Sequence, residues 1–570
     1  MAGFRNYGMT LQEKHKIDLT QSLMNQLGAT EEILQKWETE KYQADGDTVA
    51  QFWNYIKPAP AVYIVGDYDV DGICATYTMK ASIRENFPDK QVITRIPRRF
   101  SEGYGINESI AEEIKATLPK GSVIITVDNG IAAAPILEDL EDNGYVVLMT
   151  DHHELREGCQ VPNVTMTIDP SVKEIPNPLD GRYWCGAAVA YKLCEPMISE
   201  KLAHELSVYA GLATVADCMV LKEGNWGMVR HALKAFREKT APEALCMLLK
   251  GLRQSSVIVN EDAFGFYLGP AFNAPGRLLD NGAARVLEYL DHPTKEGCKE
   301  ICTLNGDRRQ LRDEEYEIVL KEIHDKGMEK DCPIWVAVDG LHEGIVGILA
   351  GKVSEEFQVP AIVLTNTEQG FLKGSARAYG EFDIFKYLSS MPDKFLRMGG
   401  HPGAAGLSMT RENFEEAKKN QVRMEHGEDG KPGEIVMKIR SFEIPGLNAV
   451  LGKFRPFGEG NQIPKFELEV DLGNLRADEV WRTFGKDVNE NRHFGIKDKN
   501  DRWDAIHFFH YPNTLSNKNH FGMIGTIGSS ETDVYSKYGG KYKKEMPVFN
   551  AEEAFDIDEE NNSRDENIHL

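Results

Sequence analysis

Between residues 61 and 150 the chain alternates short apolar segments with longer stretches of helical spacing. The apolar segments are Val62–Val65, Val92–Thr94, Val123–Val127 and Val146–Met149; residues 74–87, 107–117 and 132–143 form the helices between them. A strand without polar alternation must be covered on both faces, and intervening helices allow parallel crossovers. The pattern therefore predicts an α/β domain built on a parallel sheet. Ligands of such sheets bind outside the carboxyl ends of the strands, so the residues that follow each segment matter most. The first segment runs into Gly66-Asp67-Tyr68-Asp69-Val70-Asp71-Gly72, the third into Asp128-Asn129-Gly130, and the fourth into Asp151-His152-His153. Asp67, Asp69 and Asp71 are spaced by two, which in extended backbone sets their carboxylates on one side.

Carboxylates gathered so densely repel one another and are costly unless cations neutralise them. Aspartate oxygens with imidazole nitrogens suit a divalent ion, Mn²⁺ better than Ca²⁺. Two such ions would account for the number of acids, and could activate a nucleophile and stabilise the leaving oxygen of a phosphoester. A single Asp at a strand end is explained equally well as a turn or cap residue. Three strands ending this way are not.

The composition narrows the classes further. The 570 residues carry 65 Lys+Arg against 89 Asp+Glu, a net charge of −24, which excludes a generally basic nucleic-acid coat. No apolar run approaches the roughly 18 residues of a membrane span, and Met1–Gly8 lacks the pattern of a secretory signal. Nine cysteines without a Cys-x-x-Cys pair argue against a disulfide framework or thiolate zinc site and for a cytoplasmic setting. A helical segment is expected over 1–58, the α/β domain over 59–282 and connecting helices over 283–330. A smaller α/β unit follows over 331–425, then a linker at 426–433. A small β-barrel is expected over 434–545 and an acidic, disordered tail over 546–570, its last twenty residues from Ala551 holding eight acids against Arg564.

The set Asp67-x-Asp69-x-Asp71-Gly72, Asp128-Asn129-Gly130, Asp151-His152-His153 and Gly211-Leu-Ala-Thr-Val-Ala-Asp217 resembles the motifs of the DHH phosphoesterase superfamily. Ile96–Gly105, Gly269–Leu278, His342–Ile348, Gly374–Arg377, Gly399–Gly406 and Pro456–Asn461 narrow the resemblance to its RecJ-type exonucleases, with a DHHA1 companion domain and an OB-type barrel. The resemblance covers about residues 60–530. It implies metal ligation by Asp69, Asp71, Asp128, His152 and Asp217, with Asp67 as an outer or second-site ligand. Two divalent cations are implied, Mn²⁺ first and Mg²⁺ as the alternative. Asp151 would orient an imidazole and His153 would face the scissile phosphate. Arg99, Asn273, Arg277, Ser375, Arg377, Gly399, Gly400 and His401 would hold the substrate. The glycines permit close backbone approach, and the Arg377 guanidinium suits a pair of phosphate oxygens. Two positions depart from the family pattern: Ala271 stands where Arg is usual and Ala376 where Gly is usual.

The implied activity is 5′→3′ hydrolysis of single-stranded DNA to mononucleotides in DNA repair or recombination, by a monomer assisted by a single-strand-binding protein or helicase. Lys453, Arg455, Arg476, Arg482, Lys486 and the segment Tyr535–Lys544, where aromatics interleave with lysines, are candidate strand contacts in the barrel. Two other readings are a phosphodiesterase for short oligonucleotides or cyclic dinucleotides, and a non-catalytic replisome scaffold on a degenerate DHH core. Every ligand position retained as Asp or His speaks against the scaffold.

Overall fold

The computed structural model describes residues 11–39, 43–155, 158–180, 183–254, 259–367, 369–420, 422–423, 435–471, 493–497, 503–508, 520–535 and 541–555. Five parallel strands, β1 (Ala61–Val65), β2 (Gln91–Arg95), β3 (Val123–Val127), β4 (Val146–Thr150) and β5 (Met166–Ile168), form one sheet in the order β2-β1-β3-β4-β5. Val62 and Ile64 of β1 point into one apolar core, while Ala61, Tyr63 and Val65 point into another on the opposite face. Both faces are buried, which is why the strands show no polar alternation. Helices Val70–Asn86, Glu108–Thr117 and Ala134–Asp142 occupy the expected stretches. The sheet has one strand more than expected, because three residues are too short to show a period.

Helices Gly282–Asp291 and Lys295–Asp325 connect to the companion domain. Its strands are β6 (Asp331–Cys332), β7 (Ile334–Ala337), β8 (Ala361–Asn366), β9 (Leu372–Arg377), β10 (Arg397–His401), β11 (Ala404–Met409) and β12 (Val422–Arg423). Five of these form a sheet in the order β10-β11-β9-β8-β7, and β6 pairs with β12. The expected linker at 426–433 lies outside the described residues.

The C-terminal strands are β13 (Ile435–Arg440), β14 (Lys465–Asp471), β15 (His493–Lys497), β16 (Trp503–Phe508), β17 (His520–Tyr535) and β18 (Lys541–Phe555). They form a mixed sheet in the order β13-β14-β17-β18-β16-β15, and among the described residues no pairing joins its two edges into a barrel. The OB-type closure therefore rests on resemblance alone. The acidic tail begins later than expected: Ala551–Phe555 continues β18 and pairs with β17, and Ala551 is buried in the core. Counting acids missed this, because the apolar residues at alternate positions of a strand decide its burial.

The N-terminal segment is not a separate unit. Leu19, Leu23 and Leu27 of helix Leu11–Leu27, with Leu34 and Trp37 of Glu31–Thr39, share one core with Leu447, Phe454, Phe466 and Phe521. Trp226 of helix Glu223–Arg237 joins that core, its ring edge-on to Trp37 at 6.2 Å and its indole N–H donating to the Phe454 carbonyl at 3.1 Å. Arg455 pairs with the buried Glu261, and Lys453 with Glu31. These two cations fasten the C-terminal region to the rest of the chain. Arg476, Arg482 and Lys486 lie outside the described residues, as do the side chains of 536–544.

Trp226→Ala should open a cavity between the two regions and remove this hydrogen bond. A loss of about 3–5 kcal/mol is expected in urea unfolding, with the C-terminal sheet becoming the first part cleaved by protease.

Candidate metal centre and the arginines that face it

The loop after β1 is drawn tight around Gly72, where a Cβ would lie 2.5–2.6 Å from the Asp67 backbone. Asp69 caps helix Val70–Asn86, its carboxylate accepting from the Gly72 N–H at 3.0 Å. Asp71 is buried, and its two oxygens accept from the N–H groups of Gly186 and Ala187 at 2.6 and 2.7 Å. Those amides open helix Gly186–Cys194, so unpaired amides and the helix dipole hold the carboxylate. Asp128 adopts a left-handed backbone conformation (φ 62°), uncommon outside glycine but tolerated by Asp. Its Oδ1 is buried and receives no aligned hydrogen bond, although the His152 imidazole approaches it to 3.1 Å.

His152 stands at the centre of these acids. Its Nε2 lies 3.1 Å from Asp128 Oδ1, 3.4 Å from Asp71 Oδ2 and 3.6 Å from Asp217 Oδ2. Two sets could each hold an ion: Asp71, His152 and Asp217, and Asp128, His152 and His153. Asp67 and Asp69 fall in neither set; Asp67 is buried, with a long contact of 3.4 Å from the Gly105 N–H. Burial, then Asp71 and the neighbouring acids, holds the Asp128 carboxyl well above the ordinary carboxylate range. Burial and Asp69 do the same to Asp67. Burial, Asp71 and Asp69 push Asp217 up to about 8. A carboxylate oxygen without an aligned hydrogen bond and mutually repelling acids around one imidazole fit a divalent-cation site.

Asp151 is already saturated. It accepts from the N–H groups of Ile131 and His152 at 2.9 and 2.8 Å and binds His153 Nδ1 at 2.7 Å. Burial opposes a charge on His153, but this hydrogen bond and the charges of Asp151, Asp217 and Asp69 outweigh it and raise the imidazole to about 9. Asp151 thus orients His153, whose ring is partly exposed at the cleft.

The expected cations lie close to the loop after β1. Arg99 stacks over the Tyr68 ring at 4.6 Å, and Arg277 donates to the Gly344 carbonyl at 3.1 Å. Arg377 donates to Ser375 Oγ at 2.9 Å. Burial, then Arg99, Arg308 and Arg377, lowers Arg277 to about 9, so four guanidiniums converge. Asn273 Oδ1 is buried without a partner. His401 is exposed and close enough to Arg377, Glu154 and His153 for their charges to act on it, although burial is the first cause of its lowered pKa. Gly399 and Gly400 part company. A Cβ at Gly400 would fall 2.2 Å from the Ala404 carbonyl oxygen, so the packing of the sheet by itself requires glycine there. Ala271 and Ala376 are both wholly buried.

Three residues near the site escaped the sequence reading. Tyr104 donates to the Asp128 carbonyl at 2.9 Å, and its ring stands edge-on to His153. Asp169 follows β5 as the other acids follow their strands; it is wholly buried, and burial followed by Asp151 raises it to about 7. Arg308 is buried with an unpartnered Nε. Its signal was available: Ile301, Asn305, Arg308, Glu315 and Val319 lie on the buried side of helix Lys295–Asp325, polar residues where apolar ones would serve a plain core.

A Cβ on Gly186 would lie 2.5 Å from Asp128 Cβ, so Gly186→Ala should cost about 1–3 kcal/mol and abolish stabilisation by Mn²⁺ in thermal melts. The ionisation of Asp217 has a signed consequence. Between the ordinary aspartate value of 3.8 and about 8, the folded metal-free protein keeps a proton that the unfolded chain has lost. Metal-free stability should therefore fall as pH rises through that window. Stabilisation by Mn²⁺ should grow over the same window, because protons and the ion compete for one carboxylate. A melting-temperature shift on Mn²⁺ addition that is flat with pH would contradict this.

Residues 61–221 match the model of the DHH family, N-terminal domain, and residues 332–422 that of the DHHA1 domain. The chain is 32% identical over 419 residues to the single-stranded-DNA-specific exonuclease RecJ of Bacillus subtilis, covering 72% of this chain and 52% of that protein. It is 28% identical over 460 residues to the Thermus thermophilus RecJ, covering 78% and 63%. The chain thus spans about half to two thirds of the length of these relatives. The crystal structure of Thermus thermophilus RecJ with Mn²⁺ superposes with a TM-score of 0.68 at 20% identity, covering 94% of this chain and 78% of that one. A second manganese-bound exonuclease RecJ structure superposes at 0.54 and 24% identity, covering 67% and 94%. The chain thus carries a DHH N-terminal domain followed by a DHHA1 domain, and its similarity to RecJ-type exonucleases runs along most of its length.

Proposed function

We propose that this chain is a divalent-metal-dependent exonuclease that hydrolyses single-stranded DNA from its 5′ end to mononucleotides. The observation that carries this reading is the buried acid–imidazole cluster, its Asp128 Oδ1 without an aligned hydrogen bond, with Arg99 stacked on Tyr68 of the loop after β1 and Arg277 nearby. Asp71, Asp128, His152 and Asp217, with Asp67 and Asp69 around them, would hold two cations. Mn²⁺ suits the mixed oxygen and nitrogen donors, and Mg²⁺ is the alternative. Bound ions would supply a nucleophile at neutral pH and stabilise the leaving oxygen.

The chain's own groups do the rest. Asp151 fixes the orientation of His153 and favours its charged form, so that its ring offers a hydrogen bond to a phosphate oxygen at the cleft. Arg277, Arg377 and Arg99 supply positive charge to the strand's phosphates, with His401 beside them. The 5′ polarity and the preference for DNA rest on the relatives. The C-terminal sheet would guide the strand, and a single-strand-binding protein or helicase would present it to a monomeric, cytoplasmic enzyme. Among the described residues no helix is long and apolar enough to cross a membrane.

Full-length protein with Mn²⁺ and end-labelled strands tests this. Mononucleotides should appear from a strand blocked at its 3′ end and not from one blocked at its 5′ end. Cleavage of dinucleotides alone would favour the small-substrate phosphodiesterase, and no cleavage under any metal would favour the scaffold. Asp71→Ala and His152→Ala should each lower turnover by more than the roughly 10–100-fold typical of losing an outer-sphere partner, while single-strand binding persists. Arg277→Ala should instead raise KM, by no more than about 3 kcal/mol for one lost charged contact.

A further inference from the structure

Directly opposite residues of paired strands project from the same face of a sheet. Register along β10, β11 and β9 therefore sets three rows on one face: His401–Ala404–Arg377, Gly399–Gly406–Ser375 and Arg397–Ser408–Lys373. The first row is the one beside the metal centre, since His401 lies near His153, and Arg377 near Arg277. The third lies four residues further along the strands, roughly 13 Å away. Strand side chains lean along the strand, so phosphates held by Arg377 and Arg397 can lie one nucleotide apart, and the anion-binding chemistry of the first row does not account for the third.

A groove of about 960 Å³ opens over the second and third rows. Its floor is open at Gly406, where an added Cβ would meet nothing within 4 Å. Phe100, from the loop that carries Arg99, and His342 wall the groove, with their rings edge-on at 5.7 Å. Leu396 adds an apolar side chain that is 55% exposed. Lys373 is paired with Glu343 at 2.8 Å, whereas the exposed Arg397 has no carboxylate partner among the described residues. A guanidinium without a carboxylate partner among the described residues, an aromatic wall and a floor open at Gly406 match the parts of a nucleotide: phosphate, base and sugar.

We propose that this groove is a second nucleotide subsite. It takes the phosphate of a neighbouring nucleotide on Arg397 and its base against Phe100 and His342, so the companion domain grips a dinucleotide. The inference rests on the proposed nucleic-acid reading and extends it to residues with no part in the metal chemistry.

Calorimetric titration of the full-length protein in EDTA tests it, with 5′-phosphorylated thymidine mononucleotide and dinucleotide as probes. The dinucleotide should bind tighter by on the order of tenfold. Arg397→Glu and Phe100→Ala should each remove that advantage while mononucleotide binding persists, and Arg377→Ala should weaken both ligands together. Equal affinity for the two probes in the parent protein, or an advantage that survives both Arg397→Glu and Phe100→Ala, overturns the subsite. The readout needs neither metal nor turnover, so an inactive protein that still prefers the dinucleotide would sink the exonuclease reading and leave the groove standing.

Discussion

Electrostatic repulsion among buried carboxylates is the constraint on which the rest of this molecule turns. Asp67, Asp71 and Asp128 are almost wholly buried, within reach of one another's charge, at the carboxyl edge of a sheet with no water on either face. Such an arrangement is costly unless each oxygen has a partner. The fold supplies some of these directly: two helix-opening amides for Asp71, one for Asp69, and three donors for Asp151. It leaves Asp128 Oδ1 without an aligned donor. The missing interaction is the one a cation would make, so a strained metal-free site and a functional metal-bound site are two aspects of the same geometry.

The opposite charge is gathered beside the loop after β1. Arg277 reaches from the first α/β domain to the Gly344 carbonyl of the companion domain, and Arg377 approaches from the companion sheet. Arg308 joins them from the long helix that connects the two domains. Four guanidiniums repel one another as the acids do, and burial depresses Arg277 for the same physical reason that it raises Asp128. The net charge of −24 therefore says little about nucleic-acid binding in this chain, because the relevant cations are few and gathered in one cleft.

Much of this was legible before any coordinates. Unbroken apolar segments such as Val123–Val127 require a doubly covered strand, and Asp128 directly after one must lie at the ligand-binding edge. The spacing of Asp67, Asp69 and Asp71 put them together but could not divide their labour: Asp69 became a helix cap and Asp71 the partner of a helix more than a hundred residues away. Asp169 was hidden because β5 has three residues. Arg308 was hidden because a charged residue in a long helix reads as solvated until its face is known to be buried. Gly399 and Gly400, identical in sequence terms, differ because adjacent residues of a strand face opposite sides. The first helices read as a separate segment because the core they share with Leu447, Phe454 and Phe466 is assembled from the two ends of the chain.

The sequence by itself determined where the four longer strands of the first sheet lie, which ends of them carry charge, and hence most of the chemistry available to the site. It could do so because hydrophobic period and residue type act locally, over a few positions. The tertiary structure alone decided which carboxylate oxygen is left without an aligned donor, which arginines meet, and where a groove opens beside them. Those outcomes depend on distances between residues far apart in the chain, such as Asp71 with Gly186, or Arg277 with Gly344, and no local pattern encodes such a distance.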